Sequence, residues 1–172
     1  MRFLKARARP VSFLALIPIL ALVITGSLAF GDIGREAAPT EIRVDLSERS
    51  LKLVENGEVV SSYGVAVGRA TNPTPTGTFR TGRIVWNPGW VPPNSDWARN
   101  EKPRAPGDPK NPMQGVKIYF REPAYYIHGT NAPGSIGQAA SRGCLRMRTD
   151  EAKAVARWIE SNGGSIRLVI RA

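Results

Sequence analysis

Only one cysteine and one histidine occur among the 172 residues, Cys144 and His128. A single cysteine excludes an internal disulfide and a Cys-rich zinc site. A single histidine excludes the multi-histidine metal centres of many hydrolases and oxygenases. No phosphate-cradling glycine loop is present, so the sequence calls for no metal and no organic cofactor. With 42% hydrophobic and 22% charged residues, the composition describes one ordinary globular domain rather than a disordered chain or a repeat array. Any chemistry must be done with few polar groups.

Charge is missing altogether from Val11 to Phe30, directly after Arg2, Lys5, Arg7 and Arg9. A basic start, an apolar run and the small residues Ser27 and Ala29 predict an export signal cleaved before Phe30. About 20 apolar residues at 1.5 Å each just span a bilayer, so an uncleaved inner-membrane anchor is the alternative. The expected organisation is a signal peptide or membrane anchor over 1–29, a linker over 30–40 and one domain over 41–172. No lipidation cysteine follows the apolar run. The net charge of +10 falls to +6 without the four leading cations, 20 Lys plus Arg against 14 Asp plus Glu. An envelope address makes nucleic acid a poor partner for that surplus and anionic wall polymer or membrane surface a better one; a solvated basic face is the plain alternative.

From Glu41 the pattern is that of short strands. Ile42, Val44 and Leu46 alternate with polar residues, and Leu51–Val54 meets Val59–Val67 across Asn56-Gly57, a strong hairpin signal. Turn chemistry at Thr74–Gly77 precedes strands at Gly77–Arg80 and Arg83–Trp86. Between Asn87 and Pro112 the periodicity stops, and seven of the 14 prolines fall there. A loop that long is usually functional. Trp86, Trp90 and Trp97 give it either an aromatic face over a groove or a set of pins into the core, and the second is the commoner use of aromatics. Strands follow at Val116–Phe120 and Ala124–His128. Thr149 is the expected cap of a helix with Asp150 and Glu151 in its first turn and Ala152, Val155, Ala156 and Ile159 on one face, ending near Gly163. Ser165–Ile170 closes the chain as a strand. The sum is an all-β sandwich or barrel of mixed sheets with one helix on the C-terminal side.

His128 and Cys144 lie sixteen positions apart, each beside a glycine, in Ile127-His-Gly-Thr-Asn131 and Ser141-Arg-Gly-Cys-Leu-Arg-Met147. Singly, a buried inert thiol and a satisfied strand-end histidine are the ordinary readings. Export changes this, because a free thiol outside the cytoplasm is at risk of oxidation and needs a reason. Gly143 permits a tight turn that brings the Gly143 and Cys144 N–H groups near a bound carbonyl, as an oxyanion hole requires. Arg142 and Arg146 favour a thiolate by lowering the Cys144 pKa, and His128 is placed to accept and return the proton.

The His-Gly, followed after about fifteen residues by Ser-x-Gly-Cys-aliphatic-Arg, resembles the L,D-transpeptidase catalytic domain (YkuD-type). The opening hairpins, Thr74-Pro-Thr-Gly-Thr-Phe79, Asn111-Pro-Met113 and His128-Gly-Thr-Asn131 are similar to the Gram-negative branch, over about residues 41–170. The resemblance implies a periplasmic or cell-envelope enzyme acting on peptidoglycan stem tetrapeptides, with a diamino acid third and D-Ala fourth. It implies a Cys144 thioester that releases D-Ala and passes the acyl group to an amine of another stem or of a wall-attached envelope protein. It also implies that the Gly129 carbonyl holds the His128 tautomer. Ser141 is expected to fix the turn, and Arg146, Arg142 and Thr130 to meet substrate. Many family members carry a second histidine where this chain has Arg142, which leaves His128 as the one available base. Hydrolysis at the same site, as an L,D-carboxypeptidase or cross-link endopeptidase, and a non-catalytic wall-binding module are the competing readings.

Overall fold

The computed structural model describes residues 38–172; the expected export segment 1–29 and most of the expected linker lie outside them. The strands are β1 (Glu41–Asp45), β2 (Ser50–Glu55), β3 (Glu58–Gly64), β4 (Val67–Gly68), β5 (Gly77–Arg80), β6 (Ile84–Trp86), β7 (Gln114–Arg121), β8 (Tyr125–Gly129), β9 (Ala139–Ser141), β10 (Leu145–Met147) and β11 (Arg167–Arg171). Among the described residues one α-helix, α1 (Thr149–Ser161), lies between the last two strands. A five-stranded sheet runs β3-β2-β1-β11-β5, a four-stranded sheet runs β10-β8-β7-β6, and β4 pairs with β9. This is the expected mostly β architecture with one helix.

The alternation read in the first strand is real: Ile42 and Val44 are buried. Between them β1 pairs antiparallel with β2 and parallel with β11. Asn56 and Gly57 both take positive φ, 51° and 84°, as a tight hairpin turn demands. Side chains from both larger sheets, among them Leu53, Leu168, Ile118 and Ile127, join the apolar face of α1 in one core. Glu41, nearly buried, is neutralised by Arg43 and Arg167, each at 2.6 Å.

Two expectations change. The run Val59–Val67 is not one strand. β3 ends at Gly64, and buried Val65 and Ala66 carry the chain across, with Ala66 bridging Arg146 in antiparallel fashion. Thr149 does not cap α1. It is the first helical residue, and Arg148 occupies the cap position without a side-chain bond, so the first turn rests on Asp150 and Glu151 near the dipole's positive end. The helix ends as expected, with Gly163 and Gly164 at φ of 94° and 77°. No helix of the described residues is long and apolar enough to cross a membrane.

Candidate active site

Strand β8 delivers His128 to a groove of about 830 Å³ that Cys144 also lines. Its neighbour β10 runs parallel to it, with Leu145 opposite Ile127 and Arg146 opposite His128, so the residue just before β10 arrives beside the histidine's strand. The turn into β10 is held by Ser141, whose Oγ donates to the Cys144 carbonyl at 2.6 Å and accepts from the Gly143 N–H at 3.0 Å. Gly143 sits at φ of 106°, and a Cβ there would meet the Tyr125 ring at 2.7 Å. Glycine is therefore required on both counts. A Cβ at Gly129 would lie 2.2 Å from the Gln114 carbonyl oxygen, which explains the glycine after the histidine.

His128 Nδ1 lies 2.9 Å from the Gly129 carbonyl oxygen. A carbonyl only accepts, so Nδ1 carries the proton and Nε2 presents a lone pair. Burial pushes the imidazole pKa down to about 4; the Gly129 bond opposes this, while Arg146 and Lys117 add to it. Burial likewise pushes the Cys144 thiol up to about 11, against the Tyr126 backbone N–H, Arg146 and Lys117, which all draw it down. The thiol donates to the Ala124 carbonyl at 3.4 Å. The expectation of a thiol pKa lowered by Arg142 and Arg146 is thus corrected. Arg146 acts as anticipated, Arg142 is not among the groups acting on the sulfur, and desolvation outweighs both. At neutral pH the pair rests as thiol and neutral imidazole.

The other predicted residues separate. Arg146 is half-buried and lines the groove, and it forms no ion pair among the described residues. Arg142 also lines it, with its guanidinium carbon 3.8 Å from the centre of the Trp97 ring. Thr130 does not line the groove. It is buried, and its hydroxyl accepts from the Ala132 N–H at 3.1 Å, so the expectation that it meets substrate gives way to a turn-holding role. The Gly143 N–H, expected to face a bound carbonyl, is instead occupied by Ser141.

The long loop does not drive its tryptophans into the core. Trp86 and Trp97 are 39% and 44% exposed. Trp90 and Trp97 stack with ring centres 6.5 Å apart and both line the groove. The groove-facing reading of this loop replaces the core-pinning one. Its anchor is instead Asn111, buried, which donates to the Pro88 and Ala105 carbonyls at 2.8 and 3.2 Å and accepts from the Met113 N–H at 2.8 Å.

Among the groove residues that the sequence reading does not single out are Lys117 and Tyr126. Lys117 pairs with His128 across β7 and β8, and Tyr119 with Tyr126, in uninterrupted register. A register shift between Tyr119 and Arg121, next to the turn, hides that pairing from residue order alone. Among the described residues, no group of three or more His, Cys, Asp or Glu is placed to hold a metal ion.

A cysteine at a glycine turn, a carbonyl-held histidine and an aromatic-walled groove thus meet on a mostly β scaffold. Residues 39–168 match the sequence model of the L,D-transpeptidase catalytic domain, YkuD, and the chain belongs to that family. YkuD of Bacillus licheniformis, named as an L,D-transpeptidase, is 35% identical over 112 residues, covering 65% of this chain and 55% of that protein. ErfK/SrfK of Salmonella typhimurium, similarly named, is 33% identical over 140 residues, 77% of this chain and 44% of that one. The chain thus spans about half the length of these curated relatives. Among solved structures, the catalytic domain of the Enterococcus faecium L,D-transpeptidase shares the fold with a TM-score of 0.59 at 19% identity, covering 79% of this chain and 99% of that one. L,D-transpeptidase 3 of Mycobacterium tuberculosis does so at 0.59 and 13%, covering 78% and 62%.

Proposed function

We propose that the protein is an exported peptidoglycan L,D-transpeptidase with Cys144 as nucleophile and His128 as base. The observation that carries the reading is that both side chains line one groove while the Gly129 carbonyl fixes the Nδ1–H tautomer. The sulfur attacks the carbonyl of the third stem residue's L-centre as Nε2 takes the thiol proton. The tetrahedral oxyanion is met by the Cys144 N–H, and one such donor is worth about 3 kcal/mol. The C–N bond breaks, His128 returns the proton to the leaving nitrogen, and D-Ala departs from a thioester. An amine from a second stem, or from a wall-attached protein, then attacks that carbonyl. His128 accepts the amine's proton and delivers it to the departing sulfur, restoring the thiol.

The neutral resting pair suits an exported enzyme, since a thiol oxidises less readily than a thiolate. Peptidoglycan fragments incubated with the full chain, wild type beside Cys144→Ala, test the reading. Wild type is expected to give joined dimers and free D-Ala, with neither formed by the variant. Shortened monomers without dimers would assign hydrolysis instead, and no change in either sample would leave a wall-binding module.

A further inference from the structure

Three neighbouring strands place Lys117, His128 and Arg146 on one rung. Lys117 on β7 faces His128 on β8, and Arg146 on β10 faces it from the other side. Residues directly opposite on adjacent strands project to the same face about 5 Å apart. All three line the groove that holds Cys144. Neither cation has a carboxylate partner among the described residues. The Lys117 ammonium instead stands 4.8 Å from the Tyr119 ring centre and 4.7 Å from that of Tyr126, contacts that leave its charge unneutralised. Two cations without a carboxylate partner, one on either side of the imidazole, offer an anion in the groove two charge-assisted donors.

We propose that this rung reads the free carboxylate of the leaving residue, with Lys117 as the specificity-determining residue that restricts the enzyme to donors ending at the residue it expels. The inference rests on the transpeptidase reading and refines it. His128 must protonate the leaving nitrogen, so that nitrogen lies next to the imidazole. The carboxylate of a terminal leaving residue is two bonds from the same nitrogen, within about 3 Å of it. It therefore falls beside the imidazole, where Lys117 and Arg146 stand, and a charge-assisted bond from each completes its coordination. A donor extended by one more residue would present a neutral amide there and leave both cations unpaired, at the cost of desolvation. No bond to Lys117 forms or breaks during acyl transfer.

The test compares acylation of the full chain by two soluble stem tetrapeptides, one ending in a free carboxylate and one in a carboxamide, followed by intact-protein mass. Wild type is expected to acylate at least tenfold faster with the acid. In Lys117→Met that acid-over-amide ratio should collapse toward one, and Lys117→Arg should restore most of it. Equal rates for the two donors in wild type would overturn the proposal, as would a Lys117→Met variant that slows both donors alike and keeps the ratio, the mark of a merely structural role. Absence of acylation by either donor would instead bring down the transpeptidase reading on which the proposal stands.

Discussion

The turn that carries Cys144 and the loop that covers it are held by different kinds of contact. Ser141 to Cys144 is bound on both sides by main chain: Ser141 clamps the turn internally, and the strands on either side of it are paired, β9 with β4 and β10 with β8. Residues 87–112 are anchored at their far end by Asn111 and by a two-residue bridge between Trp90 and Arg104. Over the groove, the contact joining this loop to the active-site turn is the Arg142 guanidinium on the Trp97 ring. The turn of Cys144 is thus fixed by backbone geometry, while the loop's hold on the groove rests on single side chains.

The sharpest way to break this contrast is at the sulfur itself. Cys144→Ala should lower acylation by at least ~10³-fold while leaving the melting temperature nearly unchanged, which thermal unfolding beside a donor-acylation assay would check. His128→Gln should cost about 10²–10⁴-fold. In wild type, the His128 pKa near 4 lies below its unfolded value near 6.5, so between those limits the unfolded chain binds more protons. Folding stability is then fully present above about pH 6.5 and declines as the pH falls toward 4, by on the order of 3 kcal/mol across that window. Urea titrations at several pH values should show that slope in wild type, and it should flatten in His128→Gln. The acid limb of acylation should lie near pH 4, and a limb near 6.5 would contradict the buried, neutral imidazole.

Gly143→Ala addresses the clamped turn. With φ of 106° and the Tyr125 ring 2.7 Å from the added carbon, it should destabilise the fold by about 2 kcal/mol and lower acylation about a hundredfold. Arg142→Ala addresses the cover. It removes a cation–π contact worth about 0.5–1 kcal/mol, so the expected result is a few-fold rise in KM, little change in kcat and faster amide exchange within 87–112. An equal response of the two regions to these variants would erase the distinction between them.

What could be read from residue order follows the same division. The hairpin at Asn56-Gly57, the apolar face of α1 and the pairing of His128 with Cys144 all carry signals of short range or fixed spacing. β9 and β10 did not, because three residues are too few to show a period. Thr130 was read as facing substrate when its hydroxyl is spent on its own turn, and the Gly143 N–H looked free because Ser141's reach back to it depends on the turn's conformation. The tryptophans depart from expectation for an energetic reason: aromatics usually enter cores, but here Trp90 stacks on Trp97, and Trp97 also carries the Arg142 guanidinium. Lys117 carries no local signal, and only the register places it opposite the histidine.

In the proposed reaction one thiol, backed by one imidazole, carries the acyl group. Peptide mapping of the full chain after brief reaction with a stem tetrapeptide and quenching in acid tests it most directly. The donor acyl, lighter by one D-alanine, should be found on the peptide containing Cys144 and nowhere else, and should vanish in His128→Gln at matched times. An acyl group on any other residue, or undiminished acylation of Cys144 without His128, would contradict the account.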